Sequence, residues 1–291
     1  MIFRRGECPV IQGLKSLESS SLYLTIIAYF LAMVVYWFSM RSKNNLSGKF
    51  ATALAVIGWA ANTITLIARS IMAQRLPLAN GYEFILTFCW GTVFIFVLSE
   101  IRFKLKALGS FVMPVPFFLL LFAVMTMGPN EQIIQAIPPA LKSHWLTFHV
   151  VTAIFAYGAF AVSFGLAIMY LLKDYFSKKP VMTGLMSRFP DIKNLDELSY
   201  KLIIFGFSFL TLVIITGAIW ANYAWGTYWS WDPKETWSLI TWLIYAGYLH
   251  ARLMFDWKGK RAAWLAVFGF AAVLFTFFGV NYLLPGLHSY A

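Results

Sequence analysis

Trp220-Ala-Asn-Tyr-Ala-Trp225-Gly-Thr-Tyr-Trp229-Ser-Trp231-Asp232-Pro233-Lys-Glu235-Thr-Trp237 gathers five of the chain's twelve tryptophans into one short stretch, with a long apolar run on either side. Those flanks decide the fold: each is long enough to cross a bilayer, so the stretch is a loop at a membrane surface. Indole is large, flat and rigid with one polar edge, which suits it to a membrane–water boundary or to holding a flat aromatic ligand. A belt of anchors spreads its tryptophans around a protein, whereas here they sit in a single loop. The reading is a platform for a flat ligand, with plain interfacial anchoring as the alternative.

Outward from that loop, the chain is 60% hydrophobic, only 12% charged and has a mean hydropathy of +0.71, which excludes a soluble globular domain. Runs of about 20 apolar residues predict an all-α, polytopic membrane helix bundle of about eight transmembrane helices. The expected spans are 22–40, 50–72, 84–101, 105–127, 144–172, 199–221, 237–256 and 262–283.

The net charge of +11 is a topology signal rather than a mark of nucleic-acid binding. Loops 41–49, 102–106, 173–201 and 252–261 hold sixteen of the 23 Lys and Arg. The positive-inside rule puts those loops in the cytoplasm, and both termini and the tryptophan loop outside. The chain then divides into an external segment 1–21, helices one to four over 22–127, an external loop 128–143, and helices five and six over 144–221 with a cytoplasmic connector 173–198. The tryptophan loop 222–236 follows, and 237–291 supplies the last two helices and an external tail.

Cys8 and Cys89 form no paired motif and no Cys-x-x-Cys-His occurs, so neither a disulfide framework nor covalently attached haem is expected. Residues 1–20 lack the long apolar core and small-residue cleavage site of a signal peptide. No phosphate-binding glycine loop and no clear internal repeat supports a nucleotide-driven or repeat-built transporter.

Four histidines remain, and depth separates them. His149 lies just inside the outer end of the fifth span, and His288 just beyond the outer end of the eighth; both reach the surface of the tryptophan loop. Neutral imidazole is a frequent ligand of haem iron, and one ring on each side of a porphyrin gives six-coordinate iron. His149 and His288 are candidates for that pair, or else hydrogen-bonded interfacial residues. His144 is five residues from His149, about 140° around a helix, and is read as interfacial. His250 falls about 20 Å from the outer end of the seventh span, toward the cytoplasmic half, where an ionisable group is a ligand or relay candidate. Asp232-Pro233-Lys234-Glu235 reads as a capped helix start, whose dipole and amides also suit an anion such as a propionate. Asn80-Gly-Tyr82-Glu83 reads as an interfacial tyrosine beside a helix-start carboxylate, with pairing of Glu83 to Arg75 or Lys234 as the alternative.

Trp225-Gly226-Thr-Tyr-Trp229-Ser-Trp231-Asp232-Pro233-Lys-Glu235 resembles the WWD signature of haem-handling proteins of cytochrome c biogenesis, and the chain is most similar to the CcsA, or ResC, family of the system II pathway. Trp145-Leu-x-x-His149-Val, Asn80-x-Tyr82-Glu83, Tyr248-Leu249-His250-Ala251-Arg252 and the segment from Asn281 to Tyr290 extend the match over most of residues 77–290. The resemblance implies that His149 and His288 are the external axial ligands of haem b, iron protoporphyrin IX, lying over Trp225, Trp229, Trp231 and Asp232. It implies that His250 is a transmembrane haem ligand. It further implies a holocytochrome c synthase, or haem lyase, in which haem vinyl groups form thioethers with the cysteines of a Cys-x-x-Cys-His apocytochrome c. The partner it implies is a CcsB/ResB-type membrane subunit, whose own transmembrane histidine and external domain are not in this chain. The membrane it implies is the bacterial cytoplasmic membrane, or the thylakoid in a plastid. Two other readings are a haem exporter without attachment activity and an integral b-type electron carrier; the carrier needs axial histidines at matching depth, and His149 and His250 are about 12 Å apart in depth.

Overall fold

A computed structural model describes residues 9–41, 45–127, 132–134, 141–177, 189–284 and 286, and within them every regular element is helical. Helix α1 (Pro9–Ser39) opens on a proline, whose missing N–H is harmless in a first turn. It starts well ahead of the expected boundary at 22. Its early turns are tied down by Glu18, whose carboxylate accepts from Arg69 of α2 (Asn45–Ala73) at 2.7 Å. Helix α3 (Gly81–Phe103) begins at Asn80, whose side chain accepts from the Glu83 amide at 2.9 Å, and stops at Lys104 in the left-handed region. The expected span 105–127 is instead a 3-10 turn (Lys106–Leu108), α4 (Gly109–Val112) and α5 (Pro114–Thr126). The break falls at Met113, before Pro114, which has no N–H to continue the ladder.

Helices α6 (His144–Phe176) and α7 (Ile192–Trp225) have 33 and 34 residues. At 1.5 Å per residue each is about 50 Å long, well beyond a hydrocarbon layer of about 30 Å, so both extend past it or tilt. Helix α8 (Pro233–Phe255) follows the tryptophan loop, and α9 (Lys260–Leu274) leads through a π-helical turn (Phe275–Gly279) into α10 (Val280–Leu283).

Among the described residues, seven helical segments are long and apolar enough to cross a membrane: α1, α2, α3, residues 106–126, α6, α7 and residues 260–279. Helix α8 is less apolar, yet it runs the length of α7. Near its far end Arg252 forks onto Asp196 in the first turns of α7 at 3.0 and 2.7 Å. At mid-length Trp242 Nε1 donates to Thr211 at 3.0 Å, and its first turn abuts the tryptophan loop. The protein is therefore a polytopic helical bundle with α8 as the eighth crossing.

Lipid tails are as apolar as leucine, so close packing and internal hydrogen bonds hold such a bundle together. The crossing of α3 and α6 shows the packing: a Cβ at Gly91 would lie 2.2 Å from Ile154 Cγ2, and one at Gly158 would lie 3.2 Å from the Gly91 carbonyl. Phe160 of α6 stacks on Tyr245 of α8 at 3.7 Å, nearly parallel. Ion pairs lock both ends. At the end bearing the tryptophan loop, fully buried Glu83 accepts from Arg69 at 3.0 Å, from Arg75 at 2.6 and 3.0 Å, and from the Ala79 amide at 2.8 Å. Of the two candidate partners Arg75 is the one present, joined by Arg69, while Lys234 goes elsewhere. At the other end, buried Glu100 accepts from Tyr36, Thr52 and Lys106.

Candidate functional site: the tryptophan loop and its histidine

Helix α7 ends at Gly226, whose φ of +76° is the left-handed stop that glycine adopts without strain. The loop is then drawn back by the first turn of α8. Glu235 accepts from the Ser230 amide at 2.8 Å and the Asp232 amide at 3.3 Å, while the Asp232 carboxylate accepts from the Lys234 amide at 3.0 Å. This is the capping box that the sequence anticipated, with Asp232 buried inside it. Between these fixed points Trp231 stands at φ +61°, a conformation that costs a bulky residue of order 1–3 kcal/mol. Its side chain is 69% exposed, and its ring meets Trp229 edge-on at 5.7 Å. The backbone strain thus serves to hold an indole outside the fold.

His149 is built in from the other side. Its ring lies against Gly217 of α7, where a Cβ would come within 2.9 Å of Cε1 and Nδ1. Nδ1 is 2.9 Å from the Val213 carbonyl, which can only accept, so Nδ1 carries a proton and Nε2 is the nitrogen through which a neutral ring would ligate a metal. A backbone carbonyl fixing the second nitrogen is the support that metal-binding imidazoles ordinarily have. Trp220 stacks on His149 at 5.9 Å and leans on Trp225 at 4.9 Å. An aromatic row therefore runs from His149 to the start of the loop.

The C-terminal segment closes the third side. After the π-helical turn, a feature frequent at functional sites, Trp237 packs on Phe275 at 4.1 Å and Lys234 Nζ donates to Asn281 Oδ1 at 3.0 Å. A Cβ at Gly286 would lie 2.5 Å from Asp232 Oδ1 and 3.1 Å from Pro233 Cδ, so the backbone there rests directly on the head of α8. His288 lies outside the described residues; Gly286, two positions before it in sequence, is docked on the tryptophan loop. Lys234 is half-buried in the first turn of α8, ahead of the apolar span 237–256. Burial pushes its ammonium down to about 8, against the opposing pull of Asp232.

His250 is not brought to this site. It is exposed on α8, edge-on to Phe255 at 5.6 Å and close to the Arg252–Asp196 pair. His149 is level with Val213 to Trp220 on α7 and His250 with Asp196 to Tyr200, a separation of about 20–30 Å at the helical rise. That exceeds the expected 12 Å, and the two rings cannot share one porphyrin. His144 is exposed at the start of α6, as expected of an interfacial residue. The sequence reading missed the seat formed by Val213 and Gly217, the ring contact of Trp220, and the Lys234–Asn281 bond. The glycine three residues before Trp220 was the one visible sign of the seat.

Residues 78–288 match the family model described as Cytochrome C assembly protein. The chain is 39% identical over 288 residues to the Cytochrome c biogenesis protein CcsA of Guillardia theta, covering 92% of this chain and 94% of that one. It is 38% identical over 312 residues to the CcsA of Chlorella vulgaris, covering 97% of each, and 34% identical over 313 residues to that of Gloeobacter violaceus, covering 90% and 93%. Among solved structures it is similar to the Cytochrome c Heme Lyase CcmF, with a TM-score of 0.67 and 18% identity over 96% of this chain and 48% of that one. The chain thus spans about half the length of that structure, and the likeness is one of fold.

Proposed function

Because this chain belongs to the Cytochrome C assembly protein family, in its CcsA branch, we propose that within cytochrome c maturation it holds haem b at the tryptophan loop and presents it for attachment to an apocytochrome c. The observation that carries this reading is the seat of His149. A ring pinned by a carbonyl at Nδ1 and a glycine at its face has its orientation fixed, beside a row of indoles. His149 and His288 are the proposed axial ligands, and Trp225, Trp229 and Trp231 the surfaces against the porphyrin. Asp232 acts from within, by capping α8 and seating Gly286. His250, exposed and far from the loop, is a proposed contact to a second haem together with a CcsB/ResB-type subunit.

The bundle's task in this reading is positioning. Each thioether forms when a Cys-x-x-Cys-His thiol adds across a haem vinyl double bond: the carbon–sulfur bond forms as the π bond is lost, and the thiol proton ends on the neighbouring carbon. No electrons are gained or lost, and no nucleophile from this chain takes part. The tryptophan loop faces the side away from the cytoplasm, where the apocytochrome arrives. Co-expression of the chain and its partner subunit with an apocytochrome tests the proposal. Haem that resists acid-acetone extraction from the cytochrome is the expected result; free haem outside the cell with no covalent product identifies an exporter instead.

A further inference from the structure

Around the tryptophan loop, the described carboxylates already have partners. Glu83 and Glu18 hold Arg69 and Arg75, Asp232 holds the Lys234 amide, and Glu235 is turned back onto the Ser230 and Asp232 amides. The ammonium of Lys234 is bonded to a neutral amide, Asn281 Oδ1, at 3.0 Å. It therefore stands half-buried between the head of α8 and the C-terminal segment, hydrogen-bonded to a neutral amide, with the nearby charge of Asp232 already committed to the Lys234 amide. A cation in this setting has already lost part of its hydration, and an anion brought to it forms a charge-assisted hydrogen bond stronger than the amide's.

Resting on the proposed haem site, we infer that Lys234 is a positioning residue that binds a propionate carboxylate of the porphyrin and so sets which edge of the ring faces outward. The two propionates of protoporphyrin IX leave one edge of the macrocycle and the two vinyls leave the opposite edge. Holding the acidic edge at Lys234, with Asn281 as second donor through its side-chain amide, directs the vinyl edge away from α8 and toward incoming thiols. Trp229 and Trp231 precede Lys234 on the same short loop and head of α8, their rings edge-on to each other at 5.7 Å.

The test compares iron protoporphyrin IX with its dimethyl ester, in which both carboxylates are neutral, by visible absorption titration of the purified full chain. The wild-type chain is expected to bind the acid about tenfold more tightly than the ester, about 1.4 kcal/mol. Lys234→Met is expected to abolish that preference by weakening the acid alone, and Lys234→Arg to keep part of it. Equal weakening of both porphyrins in Lys234→Met, or no weakening of either, overturns the inference while leaving the haem site intact. A wild-type chain that binds neither porphyrin overturns the haem site itself, and the inference with it.

Discussion

Gly217→Ala puts one methyl group between α7 and the His149 ring. The new Cβ would sit 2.9 Å from Cε1 and Nδ1, against an ordinary contact of at least 3.4 Å. The imidazole must therefore shift by about 0.5 Å, and Trp220 stacked against it limits the direction of escape. Turning the ring off its rotamer costs about 0.5–1.5 kcal/mol, and weakening the Nδ1 bond to Val213 costs about the same. Against this, alanine inside a helix is favoured over glycine by about 0.5–1 kcal/mol. Fold stability should thus fall by no more than about 2.5 kcal/mol, while haem affinity falls about 10–100-fold because a second-sphere support of the ligand is lost. Thermal unfolding and haem titration of the same preparation separate the two effects. Gly247→Ala in α8 is the matched control, since a Cβ there meets nothing within 4 Å. Unchanged haem affinity and an unchanged visible spectrum in Gly217→Ala would refute the reasoning about the seat.

Glu83→Gln removes the charge shared by Arg69 and Arg75, leaving buried Arg69 with Glu18 alone and partly buried Arg75 without its counterion; a stability loss of about 3 kcal/mol is expected in thermal unfolding, and a loss below about 1 kcal/mol would contradict the buried network. Trp231→Asn relieves the left-handed strain and is expected to raise stability by about 1 kcal/mol while weakening haem binding; a rise in both would show that the indole does not contact the ligand. Lys234 gives a pH dependence whose sign follows from its lowered value of about 8 against 10.5 in the unfolded chain. Between those values the unfolded chain binds the proton that the folded chain has released, so this group makes stability rise with pH across that window. A propionate beside Lys234 restores the proton, so haem affinity is expected to fall as pH rises above about 8, while affinity for the dimethyl ester stays level.

The bundle was legible because a bilayer demands long apolar helices, and the runs flanking the tryptophan loop supply them. Helix ends were less so: α1, α6 and α7 continue into the polar region, where hydrogen bonds and contacts such as Glu18 with Arg69 extend a helix that hydropathy no longer marks. The break at Met113 was written in Pro114 and Pro116 but hidden within one apolar run. The capping box from Asp232 to Glu235 was readable because it depends on four adjacent residues. The setting of His149 was not, since Val213 and Gly217 meet it only through the packing of α6 on α7, and the π-helical turn at Phe275–Gly279 has no sequence sign. The gap between His149 and His250 also grew, because depth counted from span boundaries misplaces helices that overrun the membrane.

Visible absorption of the purified chain and of its His149→Gly and His288→Gly forms, each with and without imidazole, bears most directly on two imidazoles sharing one iron. The wild-type chain is expected to show a six-coordinate, low-spin haem spectrum; each variant is expected to lose haem or that spectrum, and added imidazole to restore much of it. Haem content and spectrum unchanged in both variants would contradict the site.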